Sequence, residues 1–206
     1  TPGSGCINDR VTFGSAARMI PAECNGTQHG AWKSRDGRLW FATIKGLAIY
    51  AFSGPGLLLD SNTGSKISGN HLGTDASGTL FGAGNLRAGI LLSQCNDVVI
   101  GGAKPCERNV ISANRGGGVD IFGGVHNQVL GNFIGPAVSG AWALPNQYGV
   151  MVNAGTQHQI GSTRAGEANV ISGNAGDGVM IDGPWGVPSN HHIEGNYIGT
   201  QSGGGI

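Results

Sequence analysis

The sequence predicts an all-β solenoid: a parallel β-helix of about five coils, three short strands per coil, closed by an N-terminal cap. Three observations predict it. The phrase glycine–apolar–x–apolar recurs at Gly56, Gly89, Gly118, Gly149 and Gly178, in steps of 33, 29, 31 and 29 residues. Two further short apolar runs follow each of these starts, separated by glycine and asparagine, as tight turns require. Alternation then leaves an aliphatic residue at every inward position.

The first strand of successive coils supplies Leu57/Leu59, Ile90/Leu92, Val119/Ile121, Val150/Val152 and Val179/Ile181 to the interior. The second supplies Ile67, Ile100, Val129, Ile160 and Ile193, and the third Leu72, Ile111, Ile134, Ile171 and Ile198. Equivalent strands should pair in parallel at about 4.8 Å per coil. Coils starting at Gly89 and Gly149 carry an extra insert, AKPCER and TRAGEA, before the third strand. Like coils therefore recur at 60 to 62 residues, and NVISANRGGGVDI (109–121) returns as NVISGNAGDGVMI (169–181). An asparagine enters every third strand: Asn70, Asn109, Asn132, Asn169 and Asn196. Stacked side-chain amides can bond one to the next along the axis, so these five are expected to form a structural ladder.

Composition narrows the function. The chain has 206 residues with 40 glycines and 8 prolines, but no Gly-x-y period, which excludes collagen. Hydrophobic residues at 39% can build a core. Charged residues are only 12% and sum to zero, with no run of basic residues, so no nucleic-acid partner is expected. No apolar run approaches the ~20 residues of a helical membrane span. Four cysteines suit an oxidising compartment. The expected pairs are Cys95 with Cys106, stapling an insert, and Cys6 with Cys24 in the cap; four buried thiols are the alternative. No Cys-x-x-Cys pair occurs, and no metal or other cofactor is expected.

Residues 56–206 resemble the right-handed parallel β-helix repeat proteins of bacteria through the phrases ISGNHLGT, LGNFIGP, NVISGN and EGNYIGT. The resemblance implies right-handed winding. It does not imply one activity, because that fold hosts lyases, epimerases, hydrolases, tailspikes and adhesins. Residues 1–55 form the cap segment. Within it, SRDGRLWFATIKGLAIY (34–50) resembles a single blade of the seven-bladed sensor propellers and reads as one or two β-hairpins. The sequence stops at GGGI, one residue into a new first strand. A longer parent protein, head-to-tail stacking of copies, or a fold-back of residues 200–206 would each cover that end.

No two acidic residues fall on adjacent rungs of one outward column, so paired-carboxylate catalysis finds no obvious seat. His192 and Glu194 share a face, too few for a zinc site. The long loops 75–88 and 137–148 leave the same corner of alternate coils, and 182–190 leaves another. Binding residues concentrate on such loops. The ligand-binding candidates are Phe81, Trp142, Tyr148 and Trp185, with Arg115 and Asp120, which distinguish one copy of the opening repeat from Ala175 and Met180 in the other. The expected role is an extracellular or cell-surface interaction protein, self-associating through its ends or binding polysaccharide. A carbohydrate-active enzyme (lyase, epimerase or hydrolase) is the alternative.

Overall fold

A computed structural model of the chain describes residues 18–19, 32–33, 39–183 and 190–200. Three parallel sheets stack into a solenoid of about five coils. First strands form a five-stranded sheet: β6 (Leu57–Asp60), β9 (Ile90–Asn96), β12 (Gly117–Val125), β15 (Tyr148–Thr156) and β18 (Val179–Ile181). Second strands form a six-stranded sheet: β4 (Thr43–Lys45), β7 (Lys66–Ser68), β10 (Val99–Gly101), β13 (Gln128–Leu130), β16 (Gln159–Ile160) and β19 (His192–Ile193). Third strands form a seven-stranded sheet with β5 (Leu47–Ile49), β8 (His71–Leu72), β11 (Val110–Ile111), β14 (Phe133–Ile134), β17 (Val170–Ile171) and β20 (Tyr197–Ile198). Its seventh member, β1 (Arg18–Met19), pairs antiparallel with β5.

The register matches the inward columns read from the sequence. Leu57, Ile90, Val119, Val150 and Val179 lie one above another, and so do Ile67, Ile100, Val129, Ile160 and Ile193. Through the first four of these coils the columns are buried and form one core. On the last described rung Ile181, Ile193 and Ile198 are exposed.

The solenoid starts earlier than Gly56. Strands β4 and β5 pair in parallel with β7 and β8, so Thr43–Ile49 already belongs to a preceding coil. A boundary at residue 55 is therefore no break in sheet pairing. The segment 34–50 is not a hairpin across Gly46 either, because β4 and β5 join different sheets. One antiparallel pair does lie before them, β2 (Trp32–Lys33) with β3 (Leu39–Phe41).

The repeated glycine is a spacing device. A Cβ on Gly118 would stand 2.5 Å from Ile134 Cγ2 and 2.7 Å from the Gly149 carbonyl oxygen, and Gly56 and Gly89 meet the next glycine's carbonyl in the same way. Any side chain here would wedge the rungs apart. Gly118→Ala should cost about 3 kcal/mol by overpacking, whereas Gly54→Ala, with nothing within 4 Å of its Cβ, should be near neutral. Urea-denaturation midpoints of the two variants check this.

The asparagines of the second corner hydrogen-bond in series. Asn70 Nδ2 donates to Asn109 Oδ1 at 3.0 Å, Asn109 to Asn132 at 2.8 Å, Asn132 to Asn169 at 3.1 Å and Asn169 to Asn196 at 2.9 Å. The backbone N–H of each donor asparagine reaches the same acceptor, and its Nδ2 also holds a carbonyl of the coil behind. A second ladder, missed in the sequence, runs up the third corner through Asn85, Asn114, Asn146 and Asn174 at 2.8 to 3.0 Å. Its signal was an asparagine three or four residues before each glycine start from Gly89 to Gly178.

The first corner turns on a left-handed residue in every coil: Gly64, Asp97, His126, Gln157 and Asn190. The residue after it points inward. Asn127 Oδ1 accepts the Val98 N–H, His158 Nδ1 accepts the Asn127 N–H, and His191 Nδ1 accepts the His158 N–H. The two imidazoles stack with ring centroids 5.0 Å apart.

The expected Cys95–Cys106 bridge does not form. Cys95 is a free thiol turned into the core and is not bonded to Cys106. The reason is local: β9 continues through Asn96 and carries Cys95 on its inward face. Cys6 and Cys24 lie outside the described residues.

Candidate functional site

The third corner carries the long loops, and they form a surface. Loops 75–88 and 137–148 leave coils two rungs apart, and the Val138 N–H donates to the Gly78 carbonyl at 3.1 Å. Val138 also packs at Gly78, where a Cβ would stand 2.7 Å from its own. The loops thus meet over the intervening rung. Five of the exposed large apolar side chains sit on them: Leu80, Phe81, Leu86, Val138 and Trp142.

Between them lies a trough of about 510 Å³ lined by Phe81, Gly82, Gly84, Ala113, Asn114, Arg115, Pro145, Asn146, Gln147 and Ala175. Two of the candidates, Phe81 and Arg115, come together here. Phe81 is 69% exposed, which no core residue would be. Arg115 is exposed, and its guanidinium makes no hydrogen bond or ion pair with the described residues; only its backbone N–H is engaged, on the Asn85 carbonyl. No carboxylate lines the trough. Asn114 and Asn146 have their amides committed to the ladder. Recognition would fall to the Phe81 face, Arg115, the exposed Gln147 and main-chain groups. Gln147 was not among the candidates; its position before Tyr148 gave no sequence signal.

The other candidates do not join this trough. Trp142, 54% exposed, lines a hollow of about 90 Å³ on the opposite flank of its loop, with Pro136, Ala143, Ser172 and Thr200. Tyr148 lies over Gly117 and donates its hydroxyl to Asp120 Oδ2 at 3.2 Å. Trp185 lies outside the described residues.

Asp120 is an outward residue, yet only 6% of it is exposed. Its neighbours in register are Leu91 and Met151. Burial pushes its carboxyl up to about 6, against the pull of the Tyr148 hydroxyl, and Oδ1 has no partner. Desolvation, together with the Asp120 charge, drives the Tyr148 phenol up to about 12. Asn153 Oδ1 on the same sheet is also buried and unpaired. A buried carboxyl near neutrality can exchange a proton, but no second carboxylate stands beside it in register.

The remaining acid–base residues are dispersed. Lys66 pairs with Glu107 at 2.5 Å. His71 Nδ1 faces the Asp75 carbonyl rather than its carboxylate, which holds Ser77 at 2.6 Å. His191 belongs to the first-corner column, while His192 and Glu194 are exposed. No group of three His, Cys, Asp or Glu side chains comes together among the described residues. No helix of the described residues is long and apolar enough to cross a membrane.

Comparison with protein-family models, with curated proteins and with solved structures finds no match. The functional reading therefore rests on this corner alone.

Proposed function

We propose that the chain is an extracellular interaction solenoid that binds glycans at its third corner. One observation carries the reading: the trough is lined both by the exposed Phe81 ring and by Arg115, whose guanidinium has no partner among the described residues. An aromatic face takes the apolar side of a sugar ring, and a fork of N–H donors takes its hydroxyls or an acidic group. The trough's volume lies within the usual range for ligand sites. Head-to-tail stacking of copies has less support, since β1 already occupies one edge of the third-strand sheet.

Binding should be measured by calorimetry against xylan, cellulose fragments, alginate and polygalacturonate. Phe81→Ala is expected to weaken whichever polymer binds by about tenfold or more, and Arg115→Ala to weaken the acidic ones most. Equal affinity of both variants and the parent chain would remove the trough from the site.

A further inference from the structure

The trough has a direction. Its lining residues come from four successive rungs at one corner: Phe81 and Gly84, then Ala113 to Arg115, then Pro145 to Gln147, then Ala175. Main-chain bonds step from each rung to the next, from the Arg115 N–H to the Asn85 carbonyl and from the Ala175 N–H to the Asn146 carbonyl. The floor is the outer side of the Asn85–Asn114–Asn146–Asn174 ladder, so it runs parallel to the solenoid axis. Three rung spacings give it a length of roughly 14 Å. Along the third-strand flank the two loops touch at Gly78 and Val138 and make a wall across the rung between them. A ligand lying across the corner would meet that wall; a ligand lying along the axis would not.

On the reading that this trough binds glycans, we infer that its ligand is an extended sugar chain held parallel to the solenoid axis. About three pyranose rings in extended linkage span the roughly 14 Å available. Phe81 stacks the ring at one end, Arg115 addresses the interior of the bound segment, and Ala175 marks the far end. Ala175 is exposed and stands where the other copy of the repeat has Arg115, so it leaves that end open.

The prediction is a length dependence. Two series, cello-oligosaccharides and oligogalacturonates of one to six residues, are titrated into the full chain by calorimetry. Affinity for the series that binds should rise about tenfold or more from monosaccharide to trisaccharide and then level off. Ala175→Trp fills the far end at an exposed position; it should lower the plateau and shift it to a shorter chain. A flat dependence in the parent chain, or an Ala175→Trp profile that matches the parent's at every length, would overturn the axial arrangement while leaving glycan binding intact. Failure of every member of both series, and of the polymers above, would overturn the reading on which it rests.

Discussion

Replacing Asn132 with leucine is expected to destabilise the fold by about 4 kcal/mol or more, a large part of the total for a domain of this size. Asn132 is fully buried. Its Oδ1 takes two protons from Asn109, at 3.2 Å from the backbone and 2.8 Å from Nδ2. Its Nδ2 holds the Ile100 carbonyl at 2.9 Å and the Leu130 carbonyl at 3.0 Å, besides Asn169. Leucine has a similar shape and none of these functions. The Asn109 N–H is then left in a dry corner without an acceptor, and each such group costs roughly 1–3 kcal/mol. The same change at Asn196, half-exposed on the last described rung, should cost less than about 1 kcal/mol, because water replaces the lost partner. The loss in urea midpoint across the five ladder positions should shrink from the middle towards that rung. Equal losses at Asn132 and Asn196 would show that the amides act individually, not as a buried series.

The second large effect concerns acid. His158 is fully buried, and its Nδ1 must stay unprotonated to accept the Asn127 N–H. Desolvation first, and then the stacked His191 and the nearby His126, lower its pKa from 6.5 to about 4. Asp97 Oδ1 sits 3.6 Å from His126 Nδ1. Between pH 6.5 and 4 the unfolded chain binds this proton and the folded chain does not, so stability falls with acid across that window, by up to about 3 kcal/mol. Asp120 works in the opposite sense. Its pKa is raised from 3.8 to about 6, so the folded chain holds a proton that the unfolded chain loses, and stability falls as pH rises through nearly the same window. In the parent chain Asp120 therefore offsets part of the acid sensitivity that His158, and with it the buried His71 and the half-buried His191, impose between pH 4 and 6.5. His158→Asn keeps an acceptor of the Asn127 kind and removes the titration. Its stability should rise on acidification by about 2–3 kcal/mol relative to the parent, and Asp120→Asn should give the reverse slope. Parallel profiles for parent and variants would mean that neither group is held in the ionisation state its surroundings impose.

The core was legible because period-two alternation leaves no ambiguity once strands are short and aliphatic. Leu57, Ile67 and Leu72 start columns that the register follows without a slip. The first coil was not legible. Thr43–Ile49 carries the same alternation, but no glycine phrase introduces it, and the resemblance of its flanking residues to a propeller blade pointed elsewhere. The outward face is not the solvated one: Asp120, Met151 and Asn153 are all buried. Alternation states which face a side chain takes and nothing about what lies above that face. At the loops, sequence reasoning placed 75–88 and 137–148 at one corner of alternate coils but could not sort the aromatics there. Phe81 enters the trough, Trp142 the opposite flank and Tyr148 the sheet, because a few residues of loop path decide among them.

The alternation of coil types has a simple steric origin. A loop must go out and come back, so it is two chains wide, roughly 10 Å, while a rung occupies about half of that. Loops on neighbouring rungs of one corner would collide. At the third corner the long loops occupy one rung and skip the next, and they already touch at Gly78 and Val138. At the second corner the inserts take the skipped rungs, and Gly166 of one packs on the Ala103 carbonyl of the other. Both corners are filled to the density that chain thickness permits. The smallest unit by which such a solenoid can lengthen while keeping its decoration is thus a pair of coils. Duplicating a single coil would place two loops in the width of one.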